Sequence, residues 1–166
     1  MNEHNKYIYY QVVDLPGISA DSLYKNAVYF IKQVYPKTKP MQMSNNSIII
    51  KDKFLTYTYI VKHEDGEIAC TLSIECKEAK YRYWLTDFVF TPYEKNRYGL
   101  FVPINGIDIP LETAISKVTK KELDGYLDQT GSFCKQLSEK LKKYMAEGRA
   151  IKKQDQPPAK VVTDKW

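Results

Sequence analysis

The order of strand-like and helix-like segments constrains the fold of this chain more than any other feature of its sequence. One strand-like segment over residues 6–14 precedes an amphipathic helix, and four strand-like segments follow between residues 41 and 91. An apolar connection over 92–118 then leads to a final amphipathic helix. An antiparallel sheet with one apolar face and two such helices packs most simply with both helices on that face. The sequence therefore predicts an α+β fold with the order β-α-β-β-β-β-α.

The two helices carry recognisable start and stop signals. Ser19 stands in position to cap the first helix, and Pro36 ends it. Thr119 and Glu122 have the spacing of a capping box at the start of the second helix. The apolar residues of the first helix recur at helical spacing and form one stripe: Leu23, Ala27, Phe30, Ile31 and Val34.

The last two strands form a hairpin whose register the sequence specifies closely. A tight turn at residues 78–79 sets Lys77 against Lys80. The same register places Glu75 opposite Arg82, and opposite charges across a strand pair are favourable. This agreement between turn position and side-chain pairing fixes which residues share a face.

The preceding hairpin is predicted from a turn at residues 63–66, which would set Lys62 against Glu67. Lys51 and Lys53 break the resulting pattern, which indicates a bend or bulge. With these registers the alternation of side chains predicts one apolar face, made of Leu55, Tyr57, Tyr59, Val61, Ile68, Cys70, Leu72, Ile74, Cys76, Tyr81, Tyr83 and Leu85.

The opposite face of the predicted sheet is polar but holds several aromatic residues. Strict alternation along the last strand places Arg82, Trp84, Phe88 and Phe90 on this outer face. An exposed aromatic patch often marks a surface for a partner. These four residues are the possible partner surface, unless the apolar connection or the C-terminal tail covers them.

Length and charge bound the organisation of the chain. The 166 residues suit a single domain over 1–149, followed by a mobile tail over 150–166 that contains two adjacent prolines. The net charge is +5, and residues 117–153 supply it with 10 basic and 5 acidic side chains, whereas residues 1–116 are balanced. Nucleic acid needs Lys and Arg where its phosphates lie, so a neutral sheet argues against nucleic-acid binding.

No catalytic, cofactor or metal motif is present, which predicts that the protein is not an enzyme and needs no cofactor. One of the two histidines, His63, is followed by two acidic residues, and a solvated turn explains this cluster better than a metal site. No apolar run is long enough to span a membrane, and the N-terminus does not have the pattern of an export signal. The three cysteines match no redox or metal motif and are expected to be buried free thiols: Cys70, Cys76 and Cys134.

Several short segments resemble those of a known family. They are Val13-Asp14-Leu15-Pro16-Gly17-Ile18-Ser19, Leu23-Tyr24 with Phe30, Ile48-Ile49-Ile50-Lys51, Lys80-Tyr81-Arg82-Tyr83, and Ile109-Pro110-Leu111-Glu112. Over residues 6–145 the chain is similar to the uncharacterised TBP-like-fold proteins of Bacteroides-type bacteria, a domain of unknown function. The resemblance implies the TBP-like fold and carries over no catalytic residue. Members of that family are often exported, so it implies a periplasmic or envelope location, although this N-terminus shows no such signal.

The combined prediction is a non-catalytic binding or scaffold domain. Its partner would be a protein or a small ligand of unknown identity. The alternative is a nucleic-acid-binding module that uses either the sheet face or the basic C-terminal helix. The sequence leaves the oligomeric state and the compartment open.

Overall fold

A computed structural model of the chain describes residues 5–58 and 63–148. In chain order its elements are β1 (Tyr9–Asp14), α1 (Ala20–Val34), β2 (Gln42–Met43), β3 (Ser47–Tyr57), β4 (Glu64–Lys77), β5 (Lys80–Lys95), β6 (Phe101–Pro103), β7 (Ile109–Pro110), a 3₁₀ helix (Leu111–Ser116) and α2 (Lys120–Glu147). The predicted order of the main elements is confirmed. The two additional strands and the 3₁₀ helix lie in the apolar connection, which therefore has structure of its own. The tail predicted over 150–166 lies outside the described residues.

The strands form one antiparallel sheet in the order β1-β5-β4-β3-β2, and β6 and β7 both pair with β5. One face of this sheet and the apolar stripes of both helices supply the buried core. The predicted packing of both helices on a single sheet face is confirmed. The other face, called the outer face below, is the side of the sheet turned away from α1 and α2.

The helix caps form as the sequence predicts. The Ser19 hydroxyl accepts a hydrogen bond from the Ser22 backbone N–H at 3.2 Å, which satisfies one of the free donors at the start of α1. Thr119 and Glu122 form a complete capping box at the start of α2, since each side chain accepts from the backbone N–H of the other residue.

The register of the β4–β5 hairpin is also confirmed. Lys77 lies opposite Lys80, and Glu75 lies opposite Arg82. The apolar residues that this register sends to the helix side are buried: Leu72, Ile74, Cys76, Tyr81, Tyr83 and Leu85. A two-residue turn leaves little freedom in the pairing, which explains why local sequence was sufficient here.

The predicted register of β3 against β4 is wrong. Glu67 lies opposite Leu55, whereas the sequence placed it opposite Lys62. The shift is an odd number of residues, so it moves every β3 side chain to the other face. Leu55 and Tyr57, predicted to be in the core, are exposed. Tyr59, Val61 and Lys62 lie outside the described residues.

The observed register removes the irregularity that Lys51 and Lys53 had indicated. Both lysines are exposed by ordinary alternation, and Lys53 forms an ion pair with Glu67 at 3.0 Å. The inward positions of β3 are instead Ile48, Ile50, Asp52, Phe54 and Thr56. No bend at the lysines is needed, and the predicted one is absent between Ser47 and Thr56 of this strand.

Candidate functional site

Two rows of paired residues cross the outer face beside its β1 edge. In the first row Tyr10 on β1 lies opposite Trp84 on β5. In the second row Val12 lies opposite Arg82, which in turn lies opposite Glu75 on β4. Because directly opposed residues of antiparallel strands project from the same face, these side chains form one continuous surface.

Arg82 is the polar centre of this surface. Its guanidinium donates from Nε to Glu75 Oε2 at 2.6 Å and lies 2.5 Å from the same oxygen through Nη2. Its Cζ is 5.4 Å from the ring centroid of Trp84, within the range of a cation–π contact. The hydrogen bond to Glu75, helped by one to Tyr10, raises the pKa of Arg82 above its ordinary value. The guanidinium is therefore a fixed positive charge beside an aromatic ring.

Three apolar side chains, two on β1 and one just before it, extend the surface to the edge of the sheet. Tyr10 and Val12 are 49% and 52% exposed, and Ile8, which continues their alternation just before the strand, is 37% exposed. Such a run is unusual for a strand face in water. We call Ile8, Tyr10, Val12, Arg82 and Trp84 the outer-sheet patch.

The sequence interpretation missed the β1 members of this patch. Residues 7–13 read Tyr-Ile-Tyr-Tyr-Gln-Val-Val, so both faces of the strand are mostly apolar. That doubled pattern differs from the polar alternation expected of a strand with one face in water. It was the available signal that the outer side of β1 meets something other than solvent.

Two of the four residues predicted on the outer face lie in the core. Phe88 and Phe90 are 2% and 3% exposed, and the Phe90 ring stacks on Tyr126 of α2 with centroids 4.3 Å apart. Trp84 is half-buried and Arg82 is exposed, so these two remain on the outer face as predicted.

A β-bulge in β5 explains the correction. Residues 86–89 of β5 run opposite residues 69–71 of β4, so β5 carries one residue more than its neighbour. An inserted residue reverses the face of every side chain beyond it. Asp87 at the bulge has φ +56°, a conformation that Asp tolerates better than most residues, and it pairs with Lys6. Strict alternation fails at this point.

Comparison with known proteins places the chain in a family. The model of the "Domain of unknown function (DUF4468) with TBP-like fold" matches residues 9–91, which is half of the chain. The chain belongs to the DUF4468 family. The matched range includes β1 through most of β5, and therefore four of the five residues of the outer-sheet patch. No curated protein matches this sequence.

Two solved structures share the architecture of this DUF4468 protein. A TBP-like protein from Parabacteroides distasonis aligns with a TM-score of 0.69 and 15% identity over 87% of this chain and 95% of that one. A DUF4468 family protein from Bacteroides ovatus aligns with a TM-score of 0.62 and 10% identity over 87% and 89% of the two chains. These similarities confirm the TBP-like fold that the sequence segments implied.

The depression beside the patch is small. It has a volume of about 180 Å³, and its lining includes Lys77 and Lys80 beside Arg82 and Glu75. A larger depression of about 390 Å³ lies between β3 and α2, where Asp128 is the one ionisable acidic or basic residue among the lining side chains. In the depression beside the patch, the Glu75 carboxylate is held by Arg82.

The acidic turn after His63 serves the structure of the DUF4468 fold. The His63 ring stacks on Phe101 with centroids 4.3 Å apart. The two carboxylate oxygens of Asp65 accept hydrogen bonds from Thr56 at 2.8 Å and from Tyr126 at 2.9 Å. Within residues 5–58 and 63–148, no three His, Cys, Asp or Glu side chains are placed to hold a metal ion.

A second acidic group, Asp52, is half-buried beneath α1. Its Oδ2 accepts a hydrogen bond from the Tyr35 hydroxyl at 2.5 Å, and its Oδ1 accepts from the Lys53 backbone N–H at 2.8 Å. Burial outweighs these two bonds and raises the pKa of Asp52. Its opposite neighbour Cys70 is fully buried, so this carboxyl group has no accessible nucleophile beside it.

The cysteines are buried free thiols, as the sequence predicts. Burial raises the pKa of Cys76 and of Cys134 to about 12, so both remain protonated and unreactive at neutral pH. In the part of the chain that the structure describes, no helix is both long and apolar enough to cross a lipid bilayer.

Proposed function

We propose that this DUF4468 domain is a non-catalytic binding module that holds a protein partner on the outer-sheet patch. The observation that carries the proposal is the row of exposed apolar side chains, Ile8, Tyr10 and Val12, next to the half-buried Trp84 and the Arg82 guanidinium in cation–π range of its ring. Trp, Tyr and Arg are the residues most enriched at the energetic centres of protein interfaces. Here all three types meet on one sheet face.

The shape of the patch favours a protein over a small molecule. Pockets for drug-sized ligands usually enclose roughly 300–1,000 Å³. The depression beside Arg82 has about 180 Å³, too little to surround such a ligand. A protein surface, by contrast, can cover a shallow patch. The basic residues around the depression, Lys77, Lys80 and Arg82, outnumber Glu75 and suit a partner segment that carries a carboxylate beside apolar side chains.

Absence of catalysis is part of the proposal. It is supported by two half-buried acidic groups, since the Asp65 and Asp52 carboxylates each accept two hydrogen bonds from the fold itself. It is also supported by the thiols, whose raised pKa values make them poor nucleophiles. An envelope location enters the proposal through the family resemblance alone, and cell fractionation with an antibody to the protein tests it.

Nucleic-acid binding is the alternative, and charge placement argues against it. Stacking on Trp84 would need phosphate contacts on the same face. Lys77, Lys80 and Arg82 lie on that face, but Arg82 is already paired with Glu75. The larger positive excess lies on residues 117–153, whose described part includes α2 on the other side of the sheet. A gel shift with random oligonucleotides at low salt tests this alternative, and a salt-sensitive shift would replace the protein-binding proposal.

The test of the proposal compares three purified proteins as affinity baits for extracts of the native cells. Trp84→Ala removes the ring at the centre of the patch, and we expect the bound protein species to be retained at least about tenfold more weakly. Leu55→Ala is the matched control, because Leu55 is also an exposed apolar strand residue but lines the depression between β3 and α2, away from the patch. It lies six residues further along the sheet, roughly 20 Å from Trp84 at strand rise.

Two results would refute the proposal. In one, the species retained by the wild-type protein binds Trp84→Ala equally well. In the other, Leu55→Ala loses it to the same extent, which would show that the patch is not where the partner docks. Far-UV circular dichroism of all three proteins confirms that they remain folded.

A further inference from the structure

The two edges of the main sheet are protected to different degrees. β2, at one edge, has two residues, and short edge strands offer little to pair with. β1, at the other edge, has six residues, YYQVVD, and pairs with β5 alone among the described elements. Between Lys6 and Asp14 it contains no charge, no proline and no bulge. These are the devices by which edge strands normally avoid pairing with another chain.

Hydrogen bonds at the two ends of β1 show which backbone groups face the open edge. The Leu15 N–H donates to the Ala79 carbonyl at 2.8 Å, and the Tyr7 carbonyl accepts from the Thr86 hydroxyl at 3.4 Å. Odd-numbered residues therefore direct their backbone groups towards β5. Because alternate residues of a strand point to opposite sides, the N–H and C=O groups of Tyr10 and Val12 point away from the sheet.

We propose that β1 pairs antiparallel with β1 of a second copy of this chain, around a twofold axis at Tyr10. In this register Tyr10 lies opposite Tyr10 of the second copy, and Ile8 lies opposite its Val12. About six backbone hydrogen bonds then form, two for each of three pairs. Lys6, which pairs with Asp87 of its own chain, lies opposite Asp14 of the second copy, so opposite charges are also neighbours at both ends of the ribbon.

The neighbouring registers are less complementary. Moving the twofold axis to Gln11 puts Ile8 opposite Asp14, and moving it to Tyr9 puts Lys6 opposite Val12. Each of these shifts sets a charge against an apolar side chain. The pairing around Tyr10 is the one that matches apolar with apolar and acid with base along the outer-face positions of the strand, residues 6, 8, 10, 12 and 14.

The dimer joins the two sheets into one continuous layer and enlarges the outer face. Edge pairing uses backbone groups, so the side chains of Ile8, Tyr10 and Val12 stay on that face and meet their counterparts. Trp84 of each copy then lies three strand spacings from the other, about 14 Å. The inference does not depend on the proposed binding of a partner protein, since it concerns the free domain.

The first test is the mass of the protein in solution by sedimentation equilibrium over a range of concentrations. The wild type is expected to reach twice the 19.4 kDa chain mass. Val12→Lys places a charge in the pairing edge and is expected to be monomeric. Ile115→Lys, which adds the same charge at an exposed residue of the 3₁₀ helix, is expected to remain a dimer.

The second test measures the register with single cysteines and a short bis-methanethiosulfonate cross-linker. The natural thiols are all buried, so an introduced cysteine is the reactive one. Tyr10→Cys is expected to cross-link to itself. Ile8→Cys alone is expected to fail, because the two cysteines lie four residues apart, about 14 Å. A mixture of Ile8→Cys and Val12→Cys is expected to give the heterodimer.

Three outcomes would overturn the inference. One is a wild-type protein that is monomeric at every concentration, as expected if another segment of the same chain covers the β1 edge. Another is a dimer that persists in Val12→Lys, which would place the interface elsewhere. The third is efficient cross-linking of Ile8→Cys to itself, which would show a different register.

Discussion

Tyr81 and Tyr83 project into the same core from neighbouring inward positions of β5, yet their hydroxyl groups have different surroundings. The Tyr83 hydroxyl donates to Gln11 Oε1 on β1 at 2.8 Å and is also hydrogen-bonded to the buried Ser138 hydroxyl on α2. The Tyr81 side chain is 1% exposed, and its hydroxyl has no hydrogen-bond partner among the described residues. The two tyrosines form a matched pair for one substitution, Tyr to Phe.

The expected magnitudes follow from these contacts. A net hydrogen bond contributes roughly 0.5–1.5 kcal/mol, so loss of two bonds in Tyr83→Phe is expected to lower the free energy of unfolding by about 1–3 kcal/mol. Tyr81→Phe removes a buried hydroxyl that makes no bond, and it is expected to be neutral or to stabilise the fold by up to about 1 kcal/mol. For a chain of this length each kcal/mol corresponds to a change in Tm of about 2–4 °C.

Urea unfolding followed by far-UV circular dichroism measures both variants against the wild type. The midpoint for Tyr83→Phe is expected to fall, with an unchanged m value, while that for Tyr81→Phe stays or rises. Equal losses for the two variants would contradict the reasoning, because identical atoms are removed from nearly identical burial. A larger loss for Tyr81→Phe would contradict it more strongly.

Four further predictions use the same unfolding assay. Gly131→Ala, where an added Cβ meets nothing within 4 Å in the interior of α2, is expected to stabilise by roughly 0.5–1 kcal/mol. Gly66→Ala is expected to destabilise by roughly 1–3 kcal/mol, because its Cβ would lie 2.3 Å from Phe90 Cε2; equal effects of the two glycine variants would contradict the packing. Burial raises the pKa of Asp52, so its carboxyl group is protonated at a higher pH in the folded state than in the unfolded state. The free energy of unfolding of the wild type therefore increases as pH falls from the folded pKa of Asp52 towards its ordinary value of 3.8. Asp52→Asn is therefore expected to be most favourable relative to wild type at pH 7, and a difference independent of pH would contradict this. Hydrogen bonds from Thr119 lower the pKa of Glu122, so the ionised carboxylate stabilises the folded state fully above its ordinary pKa of 4.5, and this stabilisation is lost as pH falls through the folded pKa. Glu122→Gln is therefore expected to lower the free energy of unfolding most at pH 7. An equal loss at pH 3 would contradict this.

The features that were predictable from the sequence are those encoded over short distances. Helix caps at Ser19 and Thr119 depend on side chains within three residues, and both formed as predicted. The β4–β5 hairpin depends on a two-residue turn, and its register was correct. The family resemblance was correct as well, since several short segments appear in a fixed order.

The predictions that were wrong, the β3–β4 register and the face of the residues after the β5 bulge, depend on contacts that local sequence does not encode. β3 ends at Tyr57 and β4 begins at Glu64, so the two-residue turn rule that sets the β4–β5 register does not apply to the pairing of Leu55 with Glu67. The bulge in β5 has Asp87 at positive φ, and the sequence has no glycine at this position that would have indicated a bulge. Its consequence, the burial of Phe90 against Tyr126, depends on a helix more than thirty residues further along the chain.

The outer-sheet patch likewise has one part that the sequence determined and one part that depends on the tertiary structure. The sequence by itself determined that Arg82 and Trp84 share one face, because alternation and a short turn are local properties. The tertiary structure alone decided that β1 lies beside β5 at the edge of the sheet, so that Tyr10 joins Trp84 across more than seventy residues of chain. Local sequence limits how a strand orients its side chains, whereas its neighbour in the sheet is chosen by burial of the whole core, which is a property of all the elements together.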